Sequence, residues 1–378
     1  MNTLFSHAIA VEPPLSEEAL ADIPAKRGVL LLADERDAPI LLLTAADLRA
    51  RLRHRLAEPA DDTRRKSADL RQITRKILYT LTPSHWEADA TFLELARSLF
   101  PASFAELLSW RRAWLVHVDP SEEFPHFSRT RQPGQAGLTV GPFPSGQAAR
   151  GFIETIEDLF DLCRDVACLR QSPHGPACTY WQMGRCTGPC HGAISLEPYR
   201  QQVAEAAAFA SGQREPFLSR LRERMRQAAD ATEFERAAGL KKRLDRTRTL
   251  DHEDYAHVRP MEQWRFILVQ PAASKKWRDV FLAVGPAVTK IAPLSQTPTD
   301  EQLAATLAAM AAACDTAAQP SPTSTADVYR LGLIAHYLFS SPAKRGAIIH
   351  YSPDMTPQEL RAFVESVGEK RLAGQQGE

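Results

Sequence analysis

The sequence predicts a multidomain α+β protein, and three observations lead to that fold class. The 378 residues are enough for two or three domains, each with its own hydrophobic core. Short apolar runs typical of strands are interspersed with segments of helical periodicity along the whole chain. The hydrophobic fraction of 44% and the charged fraction of 24% are those of an ordinary globular protein. These values exclude a disordered tail protein and a collagen-like fibre.

The same sequence argues against a membrane or secreted location. The longest weakly polar run, residues 303–314, is too short and too rich in alanine to span a bilayer. The N-terminus has no basic head before an apolar stretch, so we predict no signal peptide and a cytoplasmic protein without membrane contact. The formal net charge of zero argues against a protein coated in basic residues, but it is compatible with a local nucleic-acid-binding face.

The first domain that we predict, residues 20–105, is a small α/β unit. Within residues 24–43, two short apolar runs flank a polar turn, as in a strand hairpin. A capping-box-like sequence then predicts a helix that ends before Pro59. Further helices are predicted over residues 68–77 and 88–100, the second with a clear apolar stripe.

The rest of the chain divides into three further predicted segments. They are a region of strands with a cysteine-rich loop over 106–195, a helical region over 196–250, and a small α+β domain of unknown role over 255–370. In the first of these, residues 111–145 alternate like strands and residues 147–163 have helical periodicity. In the last, we predict strands at 264–270, 280–284 and 347–351, helices at 300–314, 328–339 and 357–367, and a linker at 317–325.

Five of the six cysteines fall within residues 163–190, and this cluster is the strongest chemical signal in the sequence. In a reducing cytosol such a cluster more often binds metal than forms disulfides. Thiolates are soft ligands suited to zinc or to iron–sulfur clusters. Structural zinc sites usually use closely spaced cysteine pairs, and within residues 178–190 only one gap is that short, so an iron–sulfur cluster fits at least as well. The plainer alternative is a set of buried thiols that bind nothing.

The core of this segment reads CTYWQMGRCTGPCHG, and it resembles the cysteine region of the UvrC family of nucleotide excision repair. The strings FPHFSRTR and VGPFPSGQAARGFIETIEDLF resemble the same family, and the whole resemblance covers roughly residues 20–250. It implies a four-cysteine site that holds a [4Fe-4S] cluster, with zinc as the alternative metal. The implied ligands are Cys163, Cys178, Cys186 and Cys190, with Cys168 as the alternative to Cys163.

Residues 225–244 closely resemble the UVR motif, a helical hairpin through which UvrC contacts UvrB. Two amphipathic stripes, separated by a turn near residues 231–233, predict two short helices that pack as an antiparallel pair. A lone hairpin leaves apolar surface exposed, which a UvrB-like partner would cover; the alternative is a bundle that packs on its own chain. Phe234 and Glu235 match the family's Phe-Glu pair and are the expected anchor and charge contact. The other expected partner-binding residues are Met225, Ala238 and Leu244.

The resemblance also implies that the first domain is a GIY-YIG nuclease, which hydrolyses phosphodiesters with Mg²⁺, tyrosine and arginine. Leu30 and Leu41 stand where the two motifs have tyrosines, and leucine can neither hydrogen-bond nor accept a proton. Arg51 lies at the spacing of the catalytic arginine, and Glu94 lies at the position of the Mg²⁺-binding glutamate. The plainer alternative is that both are ordinary charges on solvated helices.

Together these features predict a nucleotide excision repair protein with a degenerate nuclease domain. It is expected to be a weak or inactive Mg²⁺-dependent endonuclease that makes one incision. The alternative is a non-catalytic adaptor that binds DNA and a UvrB-like partner, and an iron–sulfur protein with a redox role is a third option. Residues 251–378 show neither the spaced aspartates of the family's second nuclease nor its helix-hairpin-helix motifs.

Residues 49–76 form the most basic stretch of the chain, with ten basic and four acidic side chains. Because this stretch borders the predicted nuclease site, we expect it to contact the backbone of double-stranded DNA. The predicted DNA-binding residues are Arg49, Arg51, Arg55, Arg64, Arg65 and Lys66. The alternative is a solvated helix face.

Overall fold

A computed structural model of the chain divides it into two compact units. The described residues are 4–57, 69–134, 136–316, 322, 324–341 and 346–374. Unit 1 comprises Met1–Arg111, Arg265–Ala318 and Tyr337–Glu378, and unit 2 comprises Arg112–Trp264 and Gln319–His336. Sheets and helices occur in both units, so the predicted mixed α+β class is confirmed. Within the described ranges, no helix is long and apolar enough to cross a membrane.

The described part of the chain contains strands and α-helices that we number in chain order. The strands are β1 His7–Ala10, β2 Gly28–Ala33, β3 Pro39–Ala45, β4 Lys76–Leu81, β5 Trp114–Val118, β6 Ser128–Thr130, β7 Leu138–Phe143, β8 Arg259–Pro260, β9 Arg265–Pro271, β10 Trp277–Val284, β11 Ala287–Ser295 and β12 Ala347–His350. The helices are α1 Glu17–Ala21, α2 Leu48–Ala57, α3 Leu70–Ile73, α4 His85–Leu99, α5 Phe104–Leu107, α6 Gly146–Phe160, α7 Val166–Leu169, α8 Thr179–Gln182, α9 Leu196–Ala210, α10 Glu215–Asp230, α11 Phe234–Thr247, α12 Asp300–Thr316, α13 Thr325–Leu338 and α14 Pro357–Gly374.

The first sheet of unit 1 is antiparallel, with the order β1-β4-β2-β3. The predicted hairpin is confirmed as β2–β3, and the helices predicted to follow it and to cover residues 88–100 are present as α2 and α4. The helix predicted over residues 68–77 is wrong in its second half, because α3 ends at Ile73 and β4 begins at Lys76. Ile77 and Leu78 are both fully buried, since helices cover both faces of the sheet, and this burial hides the alternation typical of a strand.

Helix α2 covers one face of this sheet. Leu48 and Leu52 pack there against Leu30 of β2 and Leu43 of β3. Helix α4 also contacts β2 and β3, but its buried side chains are not part of that cluster, so it lies against the other face. Ser84 begins α4 by accepting a hydrogen bond from the Glu87 N–H at 3.1 Å.

The second sheet of unit 1 has the order β11-β10-β9-β12. Its apolar face packs with α12 and α14 around Val280, Leu282, Leu303 and Leu360. The sequence predicted β9, β10, β12 and these helices, but it did not predict β11. Most side chains of β11 are exposed, so this strand lacks the apolar run that reveals its neighbours.

Unit 2 is built on a sheet with the order β6-β5-β7-β8 and on helix α6. Ser145 accepts a hydrogen bond from the Ala148 N–H at 3.1 Å, which fixes the first turn of α6. Phe152 and Ile156 then recur at helical spacing and are fully buried in the core of the unit. The helix ends at Asp161, whose left-handed conformation (φ 48°) turns the chain into the cysteine-rich loop.

Candidate functional site

The cysteine-rich loop, residues 161–195, connects α6 to α9 within unit 2 and contains only short helical turns. Asp165 shapes its first half by accepting hydrogen bonds from the N–H groups of Ala167 (2.8 Å) and Cys168 (3.2 Å). Gly188 has a φ of +75°, and a Cβ atom there would lie 2.4 Å from Cδ1 of Trp181. The loop therefore folds closely over itself at a position that only glycine tolerates.

The loop brings the five clustered thiols together, and none of them forms a disulfide. The side chains of Cys163 and Cys186 interact by a hydrogen bond, and Cys190 interacts in the same way with Cys178. Cys168 lies near Cys178 and Cys190 and interacts with both electrostatically. The structure thus places both candidate upstream ligands at the cluster: Cys163 beside Cys186, and Cys168 beside the other pair.

The protonation of these thiols is set by their contacts. A hydrogen bond from the Cys163 thiol lowers the pKa of Cys186, and the backbone N–H of Gly188 donates to the same sulfur at 3.4 Å. The pKa of Cys163 is raised, first because its proton is held by Cys186 and second because the thiol is buried. Burial likewise raises the pKa of Cys190. One member of the first pair is therefore prepared to be a thiolate, the form that binds metals.

Hydrogen bonds between side chains and the backbone hold the segments around the thiols. The N–H of Cys163 donates to the hydroxyl of buried Tyr199 at 3.2 Å. The Ser172 hydroxyl donates to the carbonyl of Pro189 at 2.6 Å, next to Cys190.

Across the described ranges, no group of three or more His, Cys, Asp or Glu side chains is arranged to hold a metal ion. The five thiols are nevertheless soft donors, the kind of ligand that zinc and iron–sulfur centres take.

Helices α10 and α11 form an antiparallel hairpin, Glu215–Thr247, which confirms the helical part of the prediction for this region. Its own core is small and consists of Leu221, Ala228 and Leu240 with partly buried neighbours. The turn is closed by a hydrogen bond from the N–H of Glu233 to the carbonyl of Ala228 at 2.8 Å. A core of this size leaves part of the apolar surface of the hairpin uncovered.

Phe234 is the most exposed large apolar side chain described, with 69% of its surface accessible at the tip of the hairpin. A shallow groove of about 600 Å³ runs between the two helices. Its apolar walls are contributed by Met225, Ala229, Ala237, Ala238 and Leu244, and its polar rim by Arg222, Arg226 and Lys241. Three of the predicted partner-binding residues therefore line one groove, while Glu235 is exposed beside Phe234.

The base of the hairpin is fastened to α6. Arg246 pairs with Asp158 at 2.6 Å, and Arg243 pairs with Asp161 at 3.0 Å. Phe217 of α10 packs against Phe160 with a ring-centroid distance of 4.4 Å. Among the described residues, the tip has no comparable contact with α6. The hairpin is therefore held at its base, and its tip and groove remain accessible.

The residues predicted for the nuclease site lie on different elements of unit 1. Leu30 and Leu41 contribute to the apolar cluster under α2. Arg51 is exposed on α2, and Glu94 on α4 pairs with Arg97 at 3.1 Å. Because α2 and α4 lie against different faces of the sheet, the sheet separates these two helices.

The predicted DNA-binding arginines differ in what they contact. Arg49 donates to the carbonyls of Ile23 and Ala21, each at 2.7 Å, and so ties α2 to the preceding segment. Arg51 and Arg55 are exposed on the same helix. Arg64, Arg65 and Lys66 lie outside the described residues.

Sequence reasoning missed a group of basic and aromatic residues in unit 2. The guanidinium carbons of Arg131 and Arg129 lie 4.2 Å and 5.8 Å from the ring centroid of Trp114. The sequence signal that could have revealed this group is the spacing of Arg129 and Arg131. They are two positions apart, and residues i and i+2 of an extended strand lie on the same face. The pairing of that strand with Trp114 could not be read from spacing alone.

Comparison with protein families matches two stretches of unit 2. Residues 113–209 match the middle domain of the UvrC/Cho excinuclease, and residues 217–248 match the UvrB/uvrC motif. The cysteine loop lies in the first stretch and the hairpin in the second. No solved structure matches the chain.

Individual relatives agree with the family comparison. The UvrABC system protein C of Methylococcus capsulatus is 28% identical over 236 residues, which are 61% of this chain and 38% of the relative. The corresponding protein of Acetivibrio thermocellus is 29% identical over 232 residues (61% and 37%), and that of Lachnospira eligens is 31% identical over 231 residues (59% and 36%). The matched region thus spans less than two-fifths of the length of each of these relatives, and the predicted resemblance is confirmed.

Proposed function

We propose that this chain, which is similar to the UvrC/Cho middle domain over residues 113–209 and to the UvrB/uvrC motif over residues 217–248, acts in nucleotide excision repair by docking on a UvrB-like partner. The docking element is the hairpin α10–α11. The relatives are named UvrABC system protein C, and the stretches of this chain that match the two family models contain the cysteine loop and the hairpin. Double-stranded DNA is the second partner that this function requires.

The exposure of Phe234 carries this proposal. A phenylalanine with 69% of its surface in water is unfavourable in a chain with no partner, because its burial would contribute roughly 2 kcal/mol. The adjacent groove offers apolar walls formed by Met225, Ala238 and Leu244. Aromatic anchors beside an apolar groove with a charged rim are typical of binding hot spots. Because the motif that residues 217–248 match is described as shared by UvrB and UvrC, a second helical hairpin from UvrB is the proposed occupant.

The experiment is a gel shift on a lesion-containing duplex that is already loaded with UvrB. We expect the wild-type chain to produce a slower complex and Phe234→Ala to produce little of it. Leu107→Ala is the matched control, because Leu107 is also an exposed apolar side chain (41%) but lies outside the hairpin. A Phe234→Ala variant that shifts the UvrB complex as well as the wild type does would refute the docking site.

We also propose that the cysteine loop holds a [4Fe-4S] cluster through Cys163, Cys178, Cys186 and Cys190. Zinc is the alternative metal, and Cys168 is the alternative ligand to Cys163. Two observations support this site. The loop brings several thiols together and lowers the pKa of one of them, and it has few large apolar side chains of its own to hold its shape. When bound, such a centre would cross-link the loop between α6 and α9.

The direct test is anaerobic purification of the full chain with iron, sulfide and zinc quantified. About four iron and four sulfide per chain would support the cluster, and about one zinc per chain would support the alternative metal. A protein with none of these elements, even after anaerobic reconstitution, would rule out a metal-binding role for the loop.

A weak endonuclease is the second candidate function, and the order of elements in unit 1 favours it. The two motif segments lie on the paired strands β2 and β3, Arg51 lies on the next helix, and Glu94 lies on a later one. In such a site Glu94 would hold Mg²⁺ and Arg51 would supply positive charge to the phosphoryl group. The sheet lies between the helices of these two residues, which favours the adaptor. The apolar packing of Leu30 and Leu41 also favours the adaptor, since neither can replace a tyrosine hydroxyl.

Nicking of damaged duplex in the presence of Mg²⁺ separates the enzyme from the adaptor. If the chain is a nuclease, Glu94→Ala should lower the rate at least tenfold, while Glu106→Ala, an exposed carboxylate on α5, should leave it unchanged. Equal rates for the wild type and Glu94→Ala, or no nicking by either, would leave the adaptor function.

A further inference from the structure

We propose that Arg129 and Arg131, stacked on Trp114, form a subsite that binds phosphates of the duplex DNA backbone. This inference rests on the proposed function, because that function supplies the DNA. It adds a contact surface in unit 2 that is separate from the hairpin and from the basic stretch of α2.

Strand pairing places the three side chains together. Leu115 of β5 is opposite Thr130 of β6, so the residues that flank each of them project from the other side of the ribbon. Trp114, Arg129 and Arg131 therefore share one face. The guanidinium carbon of Arg131 lies 4.2 Å from the ring centroid of Trp114, and that of Arg129 lies 5.8 Å from it. Both distances are within the range of a cation–π interaction.

The tryptophan ring is fixed in place at the start of α6. A Cβ atom at Gly146 would lie 2.9 Å from Cζ2 of Trp114, so the ring packs where only a glycine leaves room. Arg129 also donates from Nη1 to the carbonyl of Gly146 at 3.2 Å. The two arginines are thus ordered before any ligand arrives, which reduces the entropy lost on binding.

The charge of these arginines is available to a ligand. Both side chains are exposed, and within the described residues neither forms an ion pair with a carboxylate. Arg150, one turn into α6, differs because Glu154 neutralises it at 2.8 Å. A guanidinium that stacks through its face keeps its N–H groups in the plane free to hold a phosphate by two hydrogen bonds.

Arg129 uses one N–H group on the Gly146 carbonyl, but both arginines have further N–H donors for a ligand that carries phosphates in a row. The DNA backbone is such a ligand, and contacts to its phosphates fix a protein on the duplex without reading its sequence. The positive end of α6 at Gly146 has the same sign as the arginines and adds to the local field. Because phosphate contacts do not depend on the bases, the subsite is expected to bind undamaged and damaged duplexes equally well.

The experiment measures binding of a fluorescently labelled duplex to the full chain by anisotropy, between about 50 and about 200 mM salt. Arg129→Ala/Arg131→Ala should weaken binding about tenfold at the lower salt concentration. It should also reduce the slope of log K against log salt by about two, because two phosphate contacts are lost. Arg129→Lys/Arg131→Lys keeps both charges and should retain most of the slope. Arg150→Ala, the matched control, should change neither quantity.

Melting temperatures show whether each variant is folded, and Arg131→Ala alone, which keeps the Arg129–Gly146 hydrogen bond, serves if the double variant is unstable. A double variant with wild-type affinity and salt slope would overturn the subsite and leave the proposed function intact. A wild-type chain that binds no duplex, alone or with UvrB, would overturn both. A double variant that keeps duplex binding but loses UvrB would show that the arginines serve an acidic protein surface instead, which also overturns the subsite.

Discussion

Arg246 of the hairpin and Asp158 of α6 form an ion pair in which the guanidinium nitrogen lies 2.6 Å from the carboxylate oxygen. The same carboxylate also contacts Arg164, the residue that follows Cys163. One aspartate at the end of α6 therefore joins the base of the hairpin to the start of the cysteine loop. This shared anchor is the structural basis for treating the two elements as one functional module.

Replacing this carboxylate should destabilise unit 2. We expect Asp158→Asn to lower the free energy of unfolding by about 2 kcal/mol, because the side chain of Arg164 is only 12% exposed and would lose its counter-ion. Urea unfolding followed by circular dichroism measures the change. Glu154→Gln, which breaks a more exposed pair on the same helix, should cost less than about 0.5 kcal/mol. Equal stability of Asp158→Asn and the wild type would show that the shared anchor is unimportant.

Glu157 should make the stability depend on pH. Burial raises the pKa of this carboxyl from 4.5 to about 8, although nearby Arg164 opposes the shift. The folded protein then holds a proton that the unfolded chain has already lost, so this group's contribution to stability falls as the pH rises from about 4.5 to about 8. Glu157→Gln, which is neutral at every pH, should remove this fall and be more stable than the wild type at pH 8.

The measurement is urea unfolding of the wild type and Glu157→Gln at several pH values across that window. The difference between the two proteins isolates the carboxyl from all other titrating groups. If the two stability curves run parallel, Glu157 is ionised in the folded protein and its burial is not the controlling factor.

The interior and the tip of the hairpin should respond differently to truncation. Leu221 is 4% exposed and packs against Ala228 and Leu240, so Leu221→Ala should lower the free energy of unfolding by about 2 kcal/mol. Phe234→Ala removes an exposed ring and should change stability by less than about 0.5 kcal/mol. Urea unfolding of both variants tests this contrast. Destabilisation of Phe234→Ala comparable to that of Leu221→Ala would mean that Phe234 is structural.

The proposed metal site predicts a similar contrast between two cysteines. Cys186→Ser should lower the bound iron or zinc and reduce the melting temperature, since it removes the thiol with the lowered pKa. Cys314→Ser, in α12 of unit 1, should retain the metal content of the wild type. A chelator should lower the melting temperature of the wild type but not that of Cys186→Ser. Identical metal content in the two variants would argue against the predicted ligands.

Local patterns predicted the elements that carry local signals. The apolar stripe of residues 88–100 and the helical periodicity of residues 147–163 were sufficient to place α4 and α6. The structure adds the serine caps Ser84 and Ser145, which the sequence analysis did not use. The hairpin β2–β3 and the pair α10–α11 were predicted for the same reason. Strand β4 was assigned partly to a helix because both of its faces are buried, and β1 was missed because its short sequence is mostly exposed at an edge.

The candidate site was predictable to the extent that its residues are clustered in sequence. The thiols and Phe234 were found in this way, since each lies within a short motif. Asp158 and Arg246, which are 88 positions apart, were not found because neither local sequence indicates the partner. The stack of Arg131 on Trp114 was missed for the same physical reason, as it depends on the register of β5 and β6.

The central claim, that the hairpin docks on a UvrB-like partner, is tested most directly by titration calorimetry of the full chain with UvrB. The account predicts saturable binding by the wild type, at least tenfold weaker binding by Phe234→Ala, and wild-type affinity for Trp277→Ala, an exposed aromatic outside the hairpin. Equal affinity of the wild type and Phe234→Ala, or no binding by the wild type, would contradict it.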